Sequence, residues 1–97
     1  MAQLVQDPKL RDRIEFALDY LVREWSGVQE LAAEWDSWDE DSRLVYELNW
    51  AVPEDWLHQL QQWAEQGVLT PEQRCRYDDL LKLVAQHRPT LERLLAN

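Results

Sequence analysis

The sequence predicts an all-α protein: an antiparallel helical bundle of about four helices with a long N-terminal helix, in a single domain over residues 1–97. Three observations carry this. A chain of 97 residues has the length of one domain and none to spare for a cleft between two lobes. Two glycines and four prolines leave too little turn chemistry for a multi-stranded sheet. Apolar residues make up 45% of the chain and recur at three- and four-residue spacings, while the net charge of -9 is too small for the signature of disorder.

Each element has its own signal. Asp7-Pro8 reads as an N-cap followed by a proline at the first helical position, where the missing N–H costs nothing. Ile14, Leu18, Leu21, Trp25, Val28, Ala32 and Trp35 then alternate spacings of four and three, an a/d seam. The seam predicts one helix from about Pro8 to Trp35 with Gly27 exposed inside it, a break at Gly27 being the alternative. It suits either an antiparallel packing partner within the chain or the interface of a homodimer. Ser37-Trp38-Asp39-Glu40 matches a capping box and predicts a second helix from Trp38 to about Asn49, with Trp38, Leu44, Val45 and Leu48 facing inward.

Val52, preceding Pro53, is expected to be extended, and Pro53-Glu54-Asp55 to open a third helix lined by Trp56, Leu60 and Trp63. Gln66-Gly67 closes it. Thr70-Pro71-Glu72-Gln73 joins an N-cap, a proline at the first helical position and a capping-box glutamine, the strongest local signal in the chain. Tyr77, Leu81, Val84, Arg88, Leu91 and Leu95 continue that fourth helix, widened by Leu80 and Leu94, and Pro89 either kinks it or ends it.

Composition excludes several classes. The apolar runs fall far below the roughly 18 residues of a membrane span, so no membrane is expected. Met1 to Val5 leads into the charged Asp7–Arg13 stretch without the apolar region of a signal peptide, which makes the cytoplasm the expected compartment. Cys75 is the lone cysteine, so no intrachain disulfide forms.

Charge is uneven along the chain. Residues 24–66 hold Glu24, Glu30, Glu34, Asp36, Asp39, Glu40, Asp41, Glu47, Glu54, Asp55 and Glu65 against one base, Arg43. The flanking segments are close to neutral. Such a block repels a phosphate backbone, so direct nucleic-acid binding is not expected. It either solvates the helices or steers a basic protein partner. Six tryptophans are the second anomaly. Trp25, Trp35, Trp56 and Trp63 fall on apolar stripes, whereas Trp38 and Trp50 lie at helix ends, where a half-exposed ring could anchor a partner.

The chemistry of catalysis is absent from the pattern. Glu54 and Asp55 precede His58 by four and three residues, but a metal site in a bundle needs that pair repeated on another helix. The acids at Asp36, Asp39, Glu40 and Asp41 lack the glycine and spacing of a calcium loop. No glycine-rich phosphate loop and no G-x-S-x-G turn occurs, and Cys75 has no base partner at a nucleophile's spacing. No cofactor, no metal and no enzymatic activity are expected.

From about Leu44 onward, the positions Gly67, Leu69, Thr70, Pro71, Glu72, Gln73, Tyr77, Leu80 and Leu81 form a "GxLTPEQ…Y…LL" pattern. Over about half the chain this resembles small acidic helical bacterial proteins akin to the antitoxin-like halves of toxin–antitoxin gene pairs. The basic DNA-binding arm that many antitoxins carry is not visible here. The resemblance implies neutralisation of a partner by occlusion. The expected binding residues are Glu30, Glu34, Asp36, Trp38, Asp39, Glu40, Asp41 and Trp50, the acids meeting lysines and arginines and the two rings giving apolar anchors. A nucleic-acid-mimicking inhibitor of a DNA-binding protein and a self-assembling helical protein are the alternative readings.

Overall fold

The computed structural model describes residues 6–96; Met1–Val5, where the absence of a signal region was read, and Asn97 lie outside the described residues. Within them every regular element is helical. The elements are α1 (Pro8–Ser26), α2 (Val28–Glu34), a 3₁₀ turn (Trp35–Ser37), α3 (Glu40–Asn49), α4 (Ala51–Glu65) and α5 (Pro71–Leu95).

These segments form three rods rather than four separate helices. Gly27 alone separates α1 from α2, and the helical ladder continues across it, Gly27 N–H donating to Arg23 O and Leu31 N–H to Gly27 O. Trp50 alone separates α3 from α4, in right-handed backbone, with its N–H on Tyr46 O and its carbonyl accepting from Glu54 N–H. The third rod is α5, which continues through Pro89. Cross-rod pairs give the directions. Glu15 meets Gln73 while Arg88 lies over Trp25, so α1 and α5 run parallel. Phe16 meets Trp56 and Trp25 meets Trp50, so α4 runs antiparallel to α1. The result is an up–down–up bundle measuring 56 × 22 × 17 Å. Its Cα radius of gyration is 15.6 Å, against about 13 Å for a compact domain of this size. Two short dimensions near two helix diameters leave each rod a broad solvent face.

The seam of the first rod is the core. Ile14, Leu18, Leu21, Trp25, Val28 and Trp35 are all buried, with Ala17 and Leu31 beside them and Ala32 half-buried. Of the two destinations the spacing allows, the seam takes the intramolecular one. On α5 Tyr77, Leu80, Val84, Leu91 and Leu94 are buried as expected and Gln73 joins them, while Leu81 is exposed and Arg88 and Leu95 are half-buried.

Local chemistry explains the boundaries. Asp7 Oδ1 accepts from Lys9 N–H at 2.8 Å, capping α1 ahead of Pro8. Ser37 does not cap α3 as expected: its hydroxyl donates to Glu34 O at 2.6 Å, closing the end of the 3₁₀ turn. Asp39 takes the role instead, accepting from Ser42 N–H at 2.7 Å, so α3 starts at Glu40 rather than Trp38. A carboxylate at a helix N-terminus binds the N–H more strongly than a hydroxyl does. The two hydrogen bonds from Ser42 hold the Asp39 carboxyl below its usual range.

Val52 is helical, not extended, and Pro53 is buried in the first turn of α4, where an N–H would have no ladder partner inside that helix. At the far end Gly67 adopts φ 73°, with Val68 N–H on Trp63 O and Gly67 N–H on Ala64 O, a Schellman closure. The Thr70–Gln73 capping box forms as read. Buried Gln73 also donates to Glu15 and accepts from Gln6, and Arg76 reaches Glu15 and Asp19, pinning the start of α5 to α1.

Candidate partner-binding surface

Five aromatic rings connect the core to one end of the bundle. Trp25 meets Trp50 edge to face, with centroids 5.2 Å apart. Trp50 stacks on Tyr46 at 5.7 Å, and Tyr46 touches both Trp35 and Trp38, which lie 5.8 Å from each other. The run ends at half-buried Trp38, in the extended residue between the 3₁₀ turn and the cap of α3. Burial, with Glu24 and Tyr20 adding to it, pushes the Tyr46 hydroxyl up to about 12, so it stays protonated.

The acids surround this end. Glu30 and Glu34 are exposed on α2 and line a shallow recess with Arg23, Glu24, Gly27, Leu31 and Tyr46. Asp36, Asp39, Glu40 and Asp41 are exposed on either side of Trp38, and a second recess is lined by Ser37, Trp38, Asp39 and Ser42. The structure thus places the six predicted acids and Trp38 on the α2–α3 elbow. Trp50 is different. It is only 7% exposed, wedged between Trp25 and Tyr46, so it cannot offer its ring to a partner. Its position at a helix end suggested exposure; the helix end is a joint inside a rod, and the other rods cover it.

Four of the arginines pair with acids outside the elbow. Among the described residues the ion pairs are Arg11–Asp12, Arg74–Asp78, Arg76 with Glu15 and Asp19, and Arg88–Glu54. None involves the six predicted acids. Arg43, the base within the acidic block, donates to Trp35 O at 3.0 Å and lies over the Trp35 ring. Arg23 lines the recess of Glu30 and Glu34, and Arg43 helps lower the Asp39 carboxyl, but six acids against these two bases leave the elbow net negative, the condition for long-range attraction of a basic surface.

Two features escaped the sequence reading. The first is a polar contact at the rod crossing: Arg88 sits 5.0 Å over the Trp25 ring and pairs with Glu54 at 3.2 Å, while Glu54 also accepts from the Trp50 indole. Arg88 on an otherwise apolar stripe was the available signal. Glu54 is thereby turned from His58, which contacts Gln62 instead. No group of three metal-ligating side chains occurs among the described residues.

The second feature is the apolar side of α3. Leu44, Val45 and Leu48, expected to face inward, are 53–67% exposed, and Val52 is 50% exposed. No residue of α3 is buried. Tyr46 and Arg43 face the bundle, so the apolar row lies on the other side. The apolar spacing was read correctly as one face; which face the bundle covers was not. The row continues, four residues on, to Trp56, whose ring meets exposed Phe16 edge to face at 5.3 Å.

Comparison with known proteins returns no matching family model, no matching curated protein and no matching solved structure. The residues behind the antitoxin-like pattern have local roles here: Gly67 turns the chain, Thr70 and Gln73 form the cap, and Leu69, Tyr77 and Leu80 are buried. Among the described residues, no helix is long and apolar enough to cross a membrane.

Proposed function

We propose that this protein is an acidic protein–protein interaction module that occludes a basic partner protein, with the α2–α3 elbow as the contact. The observation that carries this reading is the grouping of Glu30, Glu34, Asp36, Asp39, Glu40 and Asp41, all free of ion pairs among the described residues, around half-buried Trp38. The acids accelerate encounter and select for lysine and arginine on the partner. Trp38, already held by Trp35 and Tyr46, loses little freedom when it packs against an apolar spot there. Occlusion of this kind is the mechanism that the antitoxin-like resemblance implies.

The test is charge reversal away from helix caps. Asp39 caps α3 and is left intact. In the variant Glu30→Lys, Glu34→Lys, Asp36→Lys, the helical circular dichroism should be unchanged. Immobilised wild-type protein should retain a basic protein from a cell extract at low salt and release it in a salt step, and the variant should not retain it. Identical eluates from the two would overturn the reading.

A further inference from the structure

The structure carries a second recognition feature beside the elbow, which shares only Asp41 with the elbow acids. Leu44, Leu48 and Val52 succeed one another every four residues along the α3–α4 rod, and all three are at least half exposed. A row with this spacing is the ridge that packs into the groove of another helix. The charge at its two ends is specific. Asp41 lies three residues before Leu44 and Asp55 three residues after Val52, both exposed and both outside the ion pairs of the described residues.

From this geometry we infer that the ridge is a docking site for an amphipathic helix of another protein, one whose apolar row is flanked at both ends by lysine or arginine. A second copy of this chain is the wrong occupant on charge. An antiparallel pairing centred on Leu48 sets Leu44 against Val52 and brings Asp41 of each copy against Asp55 of the other, in a protein that already carries a net charge of -9. A helix with bases at those two positions turns both repulsions into attractions and covers the ridge. Recognition would then be the packing of one helix on another, with anchors spaced by four and a charged rim that fixes register. The inference rests on the reading of the protein as a binder of basic proteins and specifies the shape of the element it binds.

The test uses two synthetic helices with leucines at three positions four apart, one with lysines three residues beyond each end of the row and the other with glutamates there. Titration calorimetry against the full chain should show the lysine peptide binding about tenfold tighter than the glutamate peptide, since two rim pairs change from repulsive to attractive. The variant Asp41→Lys, Asp55→Lys should reverse that preference. Leu48→Asp, at a site 67% exposed, should remove binding of both peptides without loss of helix. Equal binding of the two peptides, binding of neither, or a dimer in sedimentation equilibrium that Leu48→Asp dissolves would each overturn the inference. The elbow is judged separately. If the lysine peptide binds as expected while the reversal of Glu30, Glu34 and Asp36 leaves the captured proteins unchanged, the proposed function fails and the ridge stands. If that reversal releases a basic protein while neither peptide binds, the ridge fails and the proposed function stands.

Discussion

The chain's two glycines sit in opposite backbone regions, and replacing each by alanine should move stability in opposite directions. Gly27 has φ -81° and ψ -8°, right-handed backbone that any residue adopts, and both of its ladder hydrogen bonds are present. A Cβ there meets only the carbonyl oxygens of Arg23 and Glu24 at 3.6 Å, ordinary contact. Alanine at such a site gains helix propensity and restricts the unfolded chain, a stabilisation of about 0.5–1 kcal/mol. Gly67 has φ 73°, where a Cβ has open space but the backbone itself is strained. Left-handed backbone costs an L-residue about 1–2 kcal/mol, partly offset by about 0.4–1 kcal/mol from the unfolded state, for a net loss near 1 kcal/mol. In a domain of this size 1 kcal/mol moves the melting temperature by about 4–8 °C. Thermal and urea unfolding followed by circular dichroism should therefore show Gly27→Ala raising Tm by about 2–8 °C and Gly67→Ala lowering it by about 4–8 °C. The Gly67 turn lies beside Gln6 at the start of the first rod and Gly27 is about twenty helical residues further along, so the double variant should be close to wild type. Destabilisation by Gly27→Ala would refute the continuity of the first rod, and a neutral Gly67→Ala would refute the left-handed closure of α4.

Two further outcomes test burial and ionisation. Leu18→Ala, at a fully buried seam position, should cost about 2–5 kcal/mol by urea unfolding, whereas Leu48→Ala, on the exposed ridge, should stay within about 0.5 kcal/mol of wild type. In alkali, the Tyr46 hydroxyl keeps its proton up to about 12 while the unfolded chain loses it near 10.0, and Tyr20 and Tyr77 are raised in the same direction. Across that window the folded state binds more protons than the unfolded one, so stability should be unaffected by these groups below about pH 10 and fall as pH rises toward 12. An ultraviolet phenolate titration should show one tyrosine ionising last and Tyr46→Phe removing it; ionisation of all three at the ordinary tyrosine pH would refute the burial of Tyr46.

The extent to which the fold was legible follows the range of each interaction. The Asp7-Pro8 start, the Gln66-Gly67 end and the Thr70–Gln73 box were readable because each is settled within one turn of backbone. The Ile14–Trp35 seam was readable because seven apolar positions at helical spacing have only one common side. Choices between nearby groups were less so. Ser37 and Asp39 both suit an N-cap, and the decision went to Asp39 once the Ser37 hydroxyl turned back to Glu34. On the candidate surface, the exposure of the acids was legible because charged side chains seldom enter a small core, whereas a place at a helix end did not distinguish half-buried Trp38 from buried Trp50.

By itself, then, the sequence determined the helical class, the principal caps, the core seam and the acidic character of the middle segment, all of which follow from spacing and composition over one or two turns. Tertiary structure decided how the apolar stripes were shared out. The positions from Leu44 to Val52 and from Leu80 to Leu94 have the same amphipathic spacing, yet α5 is covered by the first rod and α3 is not. Trp50 is buried for the same reason: Trp25, 25 residues earlier in the chain, closes over it when α4 folds back along α1. An amphipathic stripe states that a face must be covered; whether this chain or another protein covers it depends on where the rods cross, which no local pattern encodes.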